Sequence, residues 1–146
     1  MAGIKVKMRD PADETQVIYA EFATARSHPE LKEVLRKIAV ADTRESIASK
    51  KAQLINDRME AAETADEVEA AGAELEEAVR QVGDASMALF DAIREFLCQG
   101  YKLAGANDEL VEKLVSATDV EHLPQLKAKC LFGEGALDFT PPEGRK

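Results

Sequence analysis

The helical stretch from residue 44 to residue 82 constrains this chain more than any other feature. At 1.5 Å per residue, one helix of that length would span roughly 58 Å, more than the width of a globular domain of 146 residues. The stretch must therefore fold back on itself, or project and require a partner. Residues 64–67, Thr-Ala-Asp-Glu, have the pattern of a capping box that begins a new helix. This pattern favours a fold-back near residue 64.

Each arm of this expected helical hairpin carries apolar residues at helical spacing, which predicts a buried stripe. In the first arm the residues expected to be buried are Ile47, Leu54, Ile55 and Met59. In the second arm the spacing of three and four residues is typical of a coiled-coil seam, formed by Val68, Ala71, Leu75, Ala78, Val79 and Val82.

The N-terminal segment, residues 1–24, is predicted to be a small β element. Apolar and charged residues alternate from Ile4 to Arg9, as in a half-buried strand. Residues 16–22 fit two structures: a second strand paired in a hairpin, or a helix with Asp10 as its N-cap. Their β-branched and aromatic side chains favour the hairpin.

Residues 27–132 are predicted to be helical, with breaks at Asp42-Thr43 and at Gly83. A capping box at residues 118–121 predicts the start of a further short helix. The expected fold class is mainly α, a helical bundle with a small N-terminal β-hairpin or strand. We predict one domain over residues 1–139 and a flexible tail over residues 140–146.

The charge distribution argues against several partner classes. The net charge is −9, and residues 57–95 carry twelve acidic and three basic groups, so this one segment holds the whole imbalance. Such a surface repels nucleic acid and anionic membranes, and it is either a solvated helix face or a docking surface for a basic partner. Residues 1–10 lack the apolar region typical of a secretion signal, and no run approaches the 18 apolar residues expected of a membrane span. We therefore expect a cytoplasmic protein with reduced thiols.

Residues suited to catalysis or metal binding are scarce. Cys98, His122 and Cys130 lack a fourth ligand and the spacing of a zinc site, and neither cysteine has an evident activating base and oxyanion pocket. Gly133-Glu134-Gly135 is too short for a phosphate loop. We expect no catalytic residues, no metal, no cofactor and no enzymatic activity.

The order of elements resembles that of a known family. A charged N-terminal β element precedes acidic helices, an apolar helix over residues 88–97 (Ala-Leu-Phe-Asp-Ala-Ile-Arg-Glu-Phe-Leu), and Leu-Phe-Gly-Glu-Gly at residues 131–135. This arrangement resembles the small tail assembly chaperones of long-tailed phages and prophages, although here a whole helix separates the two motifs. The resemblance implies a non-catalytic protein that shields the tape-measure protein in the host cytoplasm before tail-tube subunits assemble around it.

Two interaction hypotheses follow. In the first, a protein partner (a tape-measure or tail-tube protein, on the family resemblance) binds to the apolar stripe formed by Leu89, Phe90, Ile93, Phe96 and Leu97. The same stripe also fits an ordinary core. In the second, the chain is a self-associating helical module and forms a homodimer through its seam at residues 68–82.

Overall fold

The alternating N-terminal residues form strand β1 (Ile4–Asp10) in a computed structural model that describes residues 3–133 and 135–140. Strand β2 (Asp13–Phe22) pairs antiparallel with β1, with Ile4 opposite Phe22 and Met8 opposite Ile18. Residues 16–22 are therefore strand, and the predicted β-hairpin is confirmed.

The described residues contain four α-helices, which confirms the mainly α prediction. They are α1 (Glu30–Glu60), α2 (Ala65–Leu103), α3 (Asp108–Ala117) and α4 (Leu123–Phe132), with a 3₁₀ turn at Val120–His122 before α4. A short strand, β3 (Gly135–Asp138), then pairs parallel with the other edge of β1, giving the sheet order β2-β1-β3. The sequence did not predict β3.

The helix breaks predicted at Asp42-Thr43 and at Gly83 are wrong, because α1 and α2 run through them. The Thr43 hydroxyl donates to the Ala39 carbonyl at 3.0 Å, so this residue is satisfied inside a helix and has no need to cap one. A side chain at position 83 would meet open space, so glycine is not required there by packing. Its low helix propensity is a small cost that the helix tolerates. The fold-back near residue 64 is confirmed, since α1 ends at Glu60 and α2 begins at Ala65.

The described chain divides into two compact units, one made of residues 3–35 and 94–140 and the other of residues 36–93. The prediction of one domain over residues 1–139 stays a prediction. Beyond Thr140 the predicted tail lies outside the described residues, as does Glu134 of the predicted turn.

The first unit has a core of large side chains. Ile4, Val6 and Met8 from the inner face of β1 are at most 1% exposed. The Phe22 ring contacts two further aromatic rings, with centroid separations of 5.0 Å to Phe96 and 4.9 Å to Tyr101. Such tilted and edge-on contacts are favoured by the ring quadrupoles and fix the rings relative to one another.

Gly100 explains how α2 approaches this aromatic cluster. A Cβ at position 100 would overlap the Phe22 ring, so only glycine fits. The backbone adds a direct link, because the Ala23 amide donates to the Gly100 carbonyl at 3.0 Å.

The capping box predicted at residues 118–121 does not form as such. The Thr118 hydroxyl donates to the Leu114 carbonyl at 2.8 Å and lies 2.7 Å from the Tyr101 hydroxyl. The Thr118 hydroxyl is therefore hydrogen-bonded to the buried Tyr101 hydroxyl and does not cap a helix N-terminus. Burial raises the pKa of Tyr101 to about 12, because the phenolate would lose its hydration.

Candidate partner-binding surfaces

The turn between α1 and α2 fixes the helical hairpin of the second unit. The Glu67 amide donates to the Thr64 hydroxyl at 3.2 Å, and the Glu67 carboxylate accepts from the Glu63 amide at 3.2 Å. The bond to Thr64 is that of a capping box, while the return bond of Glu67 goes to the residue before the cap, and α2 starts where the sequence predicts it.

The two arms of the hairpin carry opposite charge. Residues 36–58 hold six basic and three acidic side chains, whereas residues 65–93 hold one basic and eight acidic side chains. Arg58 on α1 forms an ion pair with Glu74 on α2. The charge difference favours pairing of the arms, although each exposed pair contributes little by itself.

Alanines form most of the buried side of this hairpin, together with Ile38, which is 2% exposed. On α2, alanines recur every seven residues; Ala71, Ala78 and Ala92 are at most 8% exposed and Ala85 is half-buried. On α1, Ala41 is buried, and Ala48 and Ala52 are half-buried. Small side chains on facing surfaces allow two helices to lie side by side, and several larger side chains of this hairpin stay exposed.

The buried stripe predicted for the first arm is therefore wrong in part. Ile47 is 62% exposed and Leu54 is 70% exposed, while Ile55 and Met59 are half-buried. Val40 is exposed as well and extends the row at a spacing of seven residues. Fully burying one Leu or Ile is worth roughly 1.5–3 kcal/mol, which the isolated chain does not gain here.

These α1 residues border a groove of about 650 Å³ between the two helices. Its α1 wall consists of Ile47, Lys50, Lys51, Leu54, Ile55 and Arg58; its α2 wall consists of Glu74, Glu77, Ala78 and Gln81. One wall is thus apolar and cationic, and the other is anionic. We call this feature the hairpin groove.

The seam predicted for the second arm is also partly buried and partly exposed. Ala71 and Ala78 are covered by the chain itself, whereas Val68 is 44% exposed and Val79 is 56% exposed. A homodimer that buries both alanines would have to open the hairpin first. The homodimer hypothesis therefore needs a different surface.

The apolar stripe predicted for partner binding is divided too. Phe96 is fully buried and Leu97 is 5% exposed, so both belong to the core. Leu89 and Ile93 are half-buried. Phe90 alone is well exposed among the five residues, at 59%.

Phe90 belongs to a longer exposed row on α2. Val68, Val79 and Phe90 follow one another at a spacing of eleven residues, which is close to three full helical turns, so they share one face. We call this row the α2 stripe. Val79 follows Glu77 by two residues, or about 200° around the helix, so the stripe faces away from the hairpin groove.

From the sequence alone, Phe90 was predicted to bind a partner, and Val68 and Val79 were predicted to form part of a dimer seam. The hairpin groove was missed, because Ile47 and Leu54 were predicted to be buried. A signal was present in the alanines at residues 71, 78, 85 and 92, which lie on the side of α2 that the chain covers. Their regular spacing of seven could have identified this side of the helix.

The residues considered for catalysis or metal binding lie in the first unit. Cys98 is half-buried and Cys130 is buried, and burial raises the pKa of the Cys130 thiol to about 11, which makes it a poor nucleophile and a poor ligand. His122 stacks on Phe139 with ring centroids 4.3 Å apart.

In the part of the chain that the structure describes, one trio of potential ligands lies within 4.8 Å: Asp119, Glu121 and His122. Both carboxylates are exposed, and we assign no ion to them. Among the same residues, no helix is both long and apolar enough to cross a bilayer.

Comparison with protein-family models, with curated proteins and with solved structures gave no match.

Proposed function

We propose that this chain is a non-catalytic protein that acts through protein–protein contact, and that the α2 stripe binds an apolar helix of its partner. One observation carries the proposal: Val68, Val79 and Phe90 lie in a row on a single helix face with about half of each side chain exposed. A row of large apolar residues at helical spacing is the surface that a helix-binding protein presents.

The charges around the stripe indicate the chemistry of the partner helix. Glu69 and Glu76 are exposed beside Val68 and Val79, and the whole arm is strongly acidic. A partner helix with an apolar stripe and basic flanks would complement both features, since opposite charges across an interface favour association and orientation.

In its more specific form, the proposal is that the chain is a phage tail assembly chaperone working in the host cytoplasm. The family resemblance supports this form, and so do the acidic surface and the exposed stripe. A long helical tape-measure protein exposes apolar stripes that aggregate unless they are covered. A soluble acidic chain bound to such a stripe would keep it dispersed until tail-tube subunits replaced the chaperone.

The first test is the sequence of the DNA that flanks the gene. A tail-tube gene upstream and a long open reading frame with continuous helical heptads downstream would support the chaperone proposal. A metabolic or regulatory neighbourhood would contradict it.

The second test is co-purification with the product of that long reading frame. We expect the double substitution V79E/F90E to abolish the complex and to leave the thermal melt of the free protein unchanged. The matched control is V120E/F132E, which places the same charges on a Val that is 72% exposed and a Phe that is 81% exposed in the first unit. A complex that survives V79E/F90E would refute the α2 stripe as the binding surface.

A further inference from the structure

The hairpin groove has a property that the α2 stripe lacks, because it carries both signs of charge on separate walls. Lys50, Lys51 and Arg58 lie on the α1 wall, and Glu74 and Glu77 lie on the α2 wall. Between them the groove exposes Ile47 and Leu54, two of the most exposed apolar residues of the chain. A molecule that fills this groove must offer an apolar surface bordered by acidic groups on one side and basic groups on the other.

We propose that a second copy of this chain covers the hairpin groove, so that two hairpins form a two-fold symmetric four-helix dimer. Two-fold symmetry requires a surface that complements itself. Placing α1 of each copy over α2 of the other brings the cationic wall of one groove against the anionic wall of the other, twice. The apolar residues of each α1 wall are then covered by the α2 wall of the other copy.

The spacing of the apolar residues fits a helix as the covering element. Val40, Ile47 and Leu54 recur every seven residues along α1, which is the period of helices that pack along their length. This interface leaves the α2 stripe free, because the stripe lies on the opposite face of α2. The dimer is therefore independent of the proposed partner, and either proposal can fail without the other.

The chain mass by light scattering, measured over a wide concentration range, gives the direct test. We expect twice the monomer mass of 15.9 kDa at high concentration. The substitutions I47D/L54D should yield a monomer. Its thermal melt should match that of the wild-type chain at a concentration too low for dimers, because both side chains are exposed in the single chain. A wild-type chain that stays monomeric at every concentration would overturn the proposal.

Charge reversal on one wall at a time gives a sharper test. In K50E/K51E both walls become anionic, and in E74K/E77K both become cationic, so each variant alone should dimerise on the order of a hundredfold more weakly. Mixing the two variants should restore dimerisation as a one-to-one heterodimer, which native mass spectrometry separates by mass. Circular dichroism melts of each variant show whether its hairpin is intact.

The mixing result discriminates between occupants of the groove. If the charged walls interact only within one chain, or with an unrelated protein, the mixture will contain monomers alone and the proposal is refuted. If the tape-measure partner binds V79E/F90E but not I47D/L54D, the groove is the partner site and the α2 stripe is refuted as the partner-binding surface. The mass of the free wild-type chain then decides the dimer separately.

Discussion

The two units of this chain bury different kinds of side chain. The first unit buries Phe22, Phe96 and Tyr101 completely, together with the inner face of β1. The second unit buries alanines and leaves Ile47 and Leu54 exposed. Large buried side chains stabilise a unit by themselves, whereas an alanine contact gains little area and leaves apolar surface for another molecule. In the proposals above, both interaction surfaces belong to the second unit.

The largest expected effect is a difference in unfolding free energy between alanine variants of two phenylalanines in α2. We expect F96A to destabilise the protein by about 3–5 kcal/mol, since it removes a fully buried ring. F90A should cost less than about 1 kcal/mol, since that ring is 59% exposed. Urea unfolding of both variants measures the difference, and equal losses would refute the assignment of Phe90 to a binding surface.

A second pair of substitutions compares two glycines of α2. G100A should destabilise by about 2–3 kcal/mol, because the new methyl group displaces the Phe22 ring. G83A should stabilise by about 0.5–1 kcal/mol, because its surroundings are open and alanine is the better helix former. Thermal melts provide the measurement, and a neutral G100A would contradict the close approach of Phe22.

A third pair tests the alanine contact in the second unit. A78L should cost about 1–3 kcal/mol, because Ala78 is 2% exposed between the helices. A88L, at an exposed position of the same helix, should change stability by less than about 0.5 kcal/mol. If A78L is tolerated as well as A88L, the two helices do not pack tightly at this point.

The last expected effect appears only at alkaline pH and concerns the first unit. Tyr101 has a pKa of about 12 in the folded protein, against an ordinary value of 10.0. Because the unfolded chain releases this proton first, the contribution of the neutral phenol is complete below pH 10 and is lost as pH rises towards 12. The Y101F variant should lack this alkaline loss. Chemical unfolding at several alkaline pH values compares the two proteins.

Local patterns in the sequence were enough to predict much of the fold. The alternation in β1 and the capping box at Thr64 depend on neighbouring residues, so the β-hairpin and the fold-back near residue 64 could be predicted. Strand β3 could not be predicted, because a strand of four residues depends on β1 as its partner. The helix breaks at Asp42-Thr43 and Gly83 were wrong because packing overrides the weak local preference for a break.

The binding surfaces were harder to predict than the fold. Periodicity identifies apolar residues on a helix, but a stripe looks the same whether it faces a core or solvent. Phe90 and Phe96 belong to one apolar helix, yet one is exposed and the other is buried. The difference depends on contacts with residues that are distant in sequence. The Phe22 ring packs against the Phe96 ring and helps to bury it.

The sequence alone determined the helix and strand types, the acidic character of residues 57–95 and the place where the long helical stretch reverses, because composition and near neighbours set all three. The tertiary structure alone decided which apolar residues are covered. In the hairpin the chain covers several alanines and Ile38, whereas Ile47, Leu54, Val79 and Phe90 stay largely exposed. That outcome is a property of the pair of helices, and neither helix specifies it alone.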